Sequence, residues 1–178
     1  MINIDISLTM RIYIIGTSCS GKTTLARNIA EKLNIAHIEL DQLWWLPNWQ
    51  ERDREEFRKI VETKLTNEEN WVVDGNYRRI RDLIIPKVDH IIWLNLPFYQ
   101  VFSRSITRTI KRIITRESIC NGNHENLSAL LSADGMPAWV IRIYKIRRQY
   151  GESLKAADER VIELKSQKQI NVWLKDIS

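Results

Sequence analysis

Eight consecutive residues, Gly16-Thr17-Ser18-Cys19-Ser20-Gly21-Lys22-Thr23, have the types and spacing to hold a chain of phosphates. They match G-x-x-x-x-G-K-[ST], the Walker A or P-loop pattern. Glycines at Gly16 and Gly21 permit backbone conformations and close approaches that a Cβ would obstruct. Successive N–H groups can then turn inward as an anion-binding nest, and a following helix N-terminus adds partial positive charge. Lys22 would reach the β- and γ-phosphates, the Thr23 hydroxyl would ligate Mg²⁺, and Thr24 continues the loop into the helix. Cys19 lies inside the loop. Helix N-termini lower thiol pKa values, so it could be a reactive thiol; the plainer reading is a small side chain filling a loop position.

A phosphotransferase also needs groups facing the loop. Asp41 follows the run Ala36 to Leu40, and Asp74 follows Trp71-Val72-Val73. Both runs read as strands, and in an open parallel sheet ligands bind at the carboxyl ends of the strands. Asp74 suits the metal and its waters; Asp41 suits orientation or deprotonation of an acceptor hydroxyl. Arg78 or Arg79 could grip an acceptor anion with two parallel hydrogen bonds. Either aspartate could instead cap a helix or a turn. Trp44, Trp45 and Trp49 could wall an acceptor pocket or pack a long connection over the core.

Cations are the third ingredient. Arg104, Arg108, Arg112 and Arg116 recur at every fourth position, and no acidic residue occurs from Pro97 to Arg116. Steps of four drift by about 40° on a helix, and the outer pair would be about 18 Å apart along the axis. At most one neighbouring pair can therefore meet a transferring phosphate. Arg108 is the candidate for the transition-state charge and Arg104 for the acceptor. A second basic cluster, Arg142, Lys145, Arg147 and Arg148, follows an irregular stretch over 117–136. Two basic helices flanking such a stretch suggest a lid over about 104–148, although solvated helix faces would give the same pattern.

These residues need a scaffold that brings them to one edge. Hydrophobic periodicity predicts strands at 11–15, 36–40, 71–74, 90–96 and 160–164. Helices are predicted at 22–33, 54–65, 99–116, 137–149 and 166–174. The alternation predicts an α/β layer fold with a mainly parallel sheet. The 178 residues fit one domain, with 44% apolar content to build its core. Residues 1–10 precede the first strand, and Met10 could be the true start.

The net charge of +5 suits phosphorylated ligands, nucleic acid or an acidic membrane surface without choosing among them. Two widely spaced cysteines, Cys19 and Cys120, form neither a disulfide framework nor a metal-ligand pair. With no signal-peptide pattern and no apolar run of about 18 residues, the expectation is a cytoplasmic protein with free thiols. It would have small-molecule rather than membrane partners.

The glycine loop, then His37-Ile38-Glu39-Leu40-Asp41 with Trp45 and Trp49, then Trp71-Val72-Val73-Asp74-Gly75-Asn76-Tyr77, then Ile91-Ile92-Trp93-Leu94-Asn95-Leu96-Pro97 carry a resemblance. In this order they resemble the adenylate-kinase-related P-loop proteins of bacteria known as topology modulation proteins, over most of the chain. The resemblance implies a nucleoside-monophosphate-kinase-like P-loop NTPase fold: a five-stranded parallel sheet in the order 2-3-1-4-5, flanked by helices, with a small helical lid after strand four. Asp74-Gly75 followed by Arg78 is similar to the Asp-Gly-x-x-Arg stretch of adenylate kinases, which implies metal waters at Asp74 and acceptor phosphate at Arg78. Asn76-Tyr77 replaces the aromatic and proline found there, and the long lid insertion is missing; both depart from an AMP-accepting enzyme. Asp41 is placed like the strand-two aspartate of shikimate-type kinases, which holds an acceptor hydroxyl.

The expectation is therefore a Mg²⁺-dependent, ATP-using kinase acting on a nucleotide, nucleoside or small hydroxylated metabolite. The alternative is a nucleotide-binding regulator that contacts nucleic acid through the basic helices with little or no kinase activity. No aromatic residue interleaves the arginines from Arg104 to Arg116 to stack single-stranded bases.

Overall fold

The structure, a computed structural model, describes residues 9–127, 130, 132–133 and 135–177. Residues 1–8, and with them most of the leader before the first strand, lie outside the described residues, as do four positions within the lid range. Among the described residues, these strands and helices follow one another: β1 (Arg11–Gly16), α1 (Lys22–Leu33), β2 (Ala36–Glu39), α2 (Leu40–Trp44), α3 (Arg54–Asn67), β3 (Trp71–Asp74), α4 (Arg81–Ile84), β4 (His90–Leu94), α5 (Phe98–Thr115), α6 (Met136–Ala157), β5 (Val161–Leu164) and α7 (Gln167–Asp176). Short 3-10 turns occupy Pro47–Trp49, Arg78–Ile80 and Ile85–Lys87.

The strands form one sheet in the order β2-β3-β1-β4-β5, with every neighbouring pair parallel. Parallel strands need helical crossovers, which cover both faces and leave the central strands apolar throughout. β1 shows the consequence. Tyr13 and Ile15 pack with Phe57 and Val61 of α3, Ile84 of α4, and Tyr150 and Leu154 of α6. Ile12 and Ile14 turn to the other layer, with Leu25, Ala26 and Ile29 of α1, Val101 of α5 and Ile170 of α7. Because β2 and β3 lie on one side of β1 and β4 and β5 on the other, a crevice opens beyond the carboxyl end of β1. Open α/β sheets bind ligands at such a crevice.

Local signals place several helix ends. The Asp53 carboxylate accepts from the amides of Glu55 and Glu56 at 3.0 and 3.1 Å, capping α3. Ser166 Oγ accepts from the Gln169 amide at 3.2 Å and starts α7. α1 closes on Asn34 in the left-handed conformation.

Three expected boundaries need correction. β2 stops at Glu39; Leu40 opens α2 and faces the core, so Asp41 lies in the first turn of a five-residue helix and not at a strand end. β4 ends at Leu94, two residues early, because Pro97 precedes the first turn of α5. α6 runs 22 residues to Ala157, well past Gln149. Gly151 is a contact point within it: a Cβ there would meet Trp93 Cε2 at 2.1 Å. Among the described residues, no helix is long and apolar enough to cross a membrane.

Candidate functional site

The loop between β1 and α1 is the best-defined feature of the sheet's carboxyl edge. Gly16 has φ +150°, and a Cβ on it would lie 2.7 Å from the Leu94 carbonyl oxygen and 2.9 Å from Ser20 Oγ. No other residue fits between β1 and β4 there. The Ser20 amide donates to the Thr17 carbonyl at 3.1 Å, Cys19 takes a positive φ of 64°, and Gly21 takes φ +96° before the first turn of α1. The unpaired amides of that turn and the helix dipole give the loop an electropositive floor. Lys22 Nζ donates to the Thr17 carbonyl at 3.1 Å, folding the side chain back over the loop.

Asp74, at the end of β3, knits the floor together. It is 3% exposed. Its Oδ2 accepts from Thr23 Oγ1 at 2.7 Å, and its Oδ1 pairs with His37 Nε2 at 2.7 Å. Parallel register puts Asp74 opposite both Ile14 of β1 and Glu39 of β2, which is why one side chain reaches the loop and the neighbouring strand. Two residues on, the Asn76 amide donates to the Gly16 carbonyl, and the Gly16 amide reaches Asn76 Oδ1 at 3.5 Å. His37 and Asn76 are site residues to which the sequence assigned no role. The signal was their place in the strings His37 to Asp41 and Trp71 to Tyr77, which carry the resemblance.

Lys22 senses both carboxylates. Burial pushes its ammonium below the ordinary lysine range, while Asp41 and then Asp74 pull it back up. Asp41 itself is exposed, and its Oδ1 accepts from Tyr77 Oη at 2.6 Å. Burial and the adjoining Asp41 carboxylate raise the Tyr77 hydroxyl far above its usual range, so it remains a donor. Tyr77 is wedged against Phe57 and Trp44, with ring centroids 5.2 and 5.7 Å apart. Trp44 thus belongs to the core, and Trp45 packs against that core while pairing edge-to-face with the exposed Trp49.

The arginines of α5 divide their work. Arg104 donates to the Ser20 carbonyl at 3.3 Å and to Gln167 Oε1 at 2.9 Å, linking the loop to the start of α7. Arg108 lines the same cleft of about 490 Å³, with Cys19, Gly21 and Thr24 across from it, and its buried Nε lacks a hydrogen-bond partner. Arg112 turns away to Glu125 at 3.1 Å and Glu117 at 3.7 Å. Arg116 ends the helix in the left-handed conformation, exposed. Arg78 is exposed on its 3-10 turn, with no side-chain hydrogen bond or ion pair among the described residues. Burial raises the Cys19 thiol above its ordinary range, outweighing Arg108 and Lys22; the loop does not activate it.

The stretch after α5 is clasped to α2 and the segment that follows it. Asn121 Nδ2 donates to the carbonyls of Gln42 and Trp45 at 2.9 and 2.6 Å, and Asn123 Nδ2 donates to Leu46 at 2.9 Å. In return the Trp49 amide donates to Asn123 Oδ1 at 2.7 Å.

Fold and site together define an α/β protein with a five-stranded parallel sheet. A glycine loop, two carboxylates and two arginines are gathered around the sheet's carboxyl edge. No protein-family model matches the chain. The chain is similar to the Uncharacterized protein YqaC of Bacillus subtilis (strain 168), 30% identical over 87 residues. The matched stretch is 48% of this chain and 49% of that protein, so the likeness spans about half the length of the relative.

Proposed function

We propose that the protein is a P-loop NTPase of the nucleoside-monophosphate-kinase type. In this reading it transfers the γ-phosphoryl group of ATP to a nucleotide, nucleoside or small hydroxylated metabolite in the cytoplasm. Membership of the topology modulation family is part of the same proposal. The observation that carries it is the 2.7 Å contact between Thr23 of the glycine loop and the buried Asp74.

A hydroxyl and a carboxylate so placed are the hard oxygen donors that Mg²⁺ prefers. Thr23 and Asp74 would hold it, and when bound it would supply neutralisation of phosphate charge. The chain's own residues do the rest. The loop amides and Lys22 bind the donor phosphates, with Lys22 exchanging its Thr17 carbonyl for phosphate oxygens. Asp41 orients the acceptor hydroxyl through Oδ2, since Tyr77 occupies Oδ1. The acceptor oxygen bonds to the γ-phosphorus as the bond to the β-bridging oxygen breaks, and the acceptor proton leaves toward Asp41. Arg108, charged and short of one partner, faces the charge that develops on the phosphoryl oxygens. Arg104 anchors the loop through the Ser20 carbonyl.

Transfer of labelled γ-phosphate from Mg²⁺-ATP to a panel of such acceptors tests the reading, with Lys22→Ala alongside. A labelled product lost in a folded Lys22→Ala variant is the expected result. Unchanged product in that variant refutes the site. The nucleic-acid reading draws less support, because Arg112 is tied to Glu117 and Glu125, and Arg148 to Glu152. Duplex binding that weakens steeply with salt would favour it instead.

A further inference from the structure

A second group of unsatisfied polar atoms lies between α4 and α6, against β1. The Arg81 guanidinium stacks on the Tyr150 ring, 3.5 Å from its centroid. Arg147 precedes Tyr150 by three residues on α6 and so shares its face. Tyr13 points from β1 into the same layer and is fully buried. The hydroxyls of Tyr13 and Tyr150 and the Nε of Arg81 are all buried without a well-formed hydrogen bond. The charges that act on Tyr150 are the guanidiniums of Arg81 and Arg147; no carboxylate is among them.

Such an arrangement is costly as it stands. Two partly buried cations repel each other, and unpaired buried polar groups lose the hydrogen bonds they would have in water. Stacking on Tyr150 and its interaction with the Tyr13 hydroxyl account for Arg81 but leave Arg147 unexplained. What all four share is the capacity to donate. Guanidinium forks match the paired oxygens of phosphate and carboxylate, and phenols add neutral donors. Burial raises the Tyr13 hydroxyl well above its ordinary range, so at neutral pH it keeps its proton. The group also adjoins the acceptor side, because Arg147 is close enough to act on Tyr77, whose hydroxyl holds Asp41.

We propose that Arg81 and Arg147, with the hydroxyls of Tyr13 and Tyr150, form an oxyanion site. It holds a phosphate or carboxylate carried by the acceptor, whose hydroxyl meets Asp41. The acceptor is then an anionic, hydroxylated molecule and not a neutral nucleoside. The acceptor role rests on the kinase reading; the oxyanion site does not, and the test separates them.

Inorganic phosphate and acetate are titrated separately into the Lys22→Ala protein, which removes the main loop cation, and followed by melting temperature and calorimetry. Binding of at least one anion is expected, and adding Arg147→Gln should weaken it about tenfold, the worth of a charge-assisted bond. Tyr13→Phe should weaken it less. Arg81→Gln removes a stacked side chain and could impair folding, so Arg147→Gln and its charge-preserving partner Arg147→Lys carry the decision. Binding unmoved by Arg147→Gln, or no binding of either anion, overturns the site. The stronger of the two anions identifies the group. With the full protein, phosphorylated, carboxylated and neutral hydroxylated acceptors are then compared. Arg147→Gln should raise KM for the anionic acceptor about tenfold while KM for ATP stays put. Transfer to neutral acceptors alone overturns the acceptor assignment and leaves the kinase reading standing. Transfer to none, with Arg147-dependent phosphate binding intact, overturns the kinase reading and leaves the oxyanion site.

Discussion

Gly151→Ala sets helix propensity against packing. In an exposed helix interior the change gains about 1 kcal/mol. Here the added Cβ would lie 2.1 Å from Trp93 Cε2 and 2.5 Å from both Cζ2 and Nε1. Carbon atoms in contact prefer about 3.5–4.0 Å, so the helix and the indole must part by more than about 1 Å. Neither yields easily. Trp93 is 2% exposed in a central strand, and α6 is held on both sides of the contact by Tyr150 and Leu154 in the same core. Overpacking of this kind costs about 1–3 kcal/mol, and a clash with a rigid buried ring belongs at the upper end. Net of the propensity gain, the loss should be about 1–2 kcal/mol. At about 2–4 °C per kcal/mol for a chain of this size, melting falls by about 2–8 °C. Thermal and urea unfolding followed by circular dichroism would measure it. Gln149→Ala, exposed two residues earlier on the same helix, should change stability by less than about 0.5 kcal/mol. A Gly151→Ala protein that melts at or above the parent temperature would refute the packing account.

Asp74→Asn keeps an acceptor for one of the Thr23 and His37 bonds but removes the charge that would hold Mg²⁺ beside Thr23. Phosphoryl transfer should fall by about a hundredfold or more, with a higher Mg²⁺ requirement. Equal rates at equal Mg²⁺ would count against the assignment. The Asp158 carboxyl is held below its ordinary range chiefly by its side-chain bonds with Arg160, at 2.9 and 2.7 Å. Its folded pKa is the lower one, so its contribution is complete above the unfolded value near about 4 and is lost as pH falls through the folded value. Asp158→Asn should therefore melt below the parent at pH 7 and converge with it in strong acid; a constant gap across pH would refute this. Burial raises both thiols, Cys120 to about 12. Maleimide labelling at pH 8 should be slower than for a free thiol, and a fast burst at Cys19 would contradict that.

The site was more legible in the sequence than the walls around it. Gly16, Gly21 and Lys22 announce themselves because a phosphate loop needs fixed residue types at fixed spacing. Asp74 could be placed because a strand of Trp, Val and Val leads straight into it. Asp41 was placed one element too early. Leu40 continues the apolar run of β2 in sequence, yet its side chain is buried from the first turn of α2, and five residues are too few to show helical period. The length of α6 depends on tertiary packing, since the Gly151 contact with Trp93 joins residues 58 positions apart. Arg81 and Arg147 are two of many basic residues in the sequence. Only the packing of α4 and α6 on β1 brings them to Tyr13.

The asparagine clasp has a consequence for motion. Its bonds join residues 74 to 79 apart in sequence, so no short segment can form it alone. Segments that share such a seam open together or not at all, as one cooperative unit. The Trp49 amide, which donates to the Asn123 side chain, should therefore exchange only as fast as the seam opens, and Asn123→Ala should speed that exchange. The wall behind Asp41 and the turn holding Asn121 and Asn123 would then move as one piece.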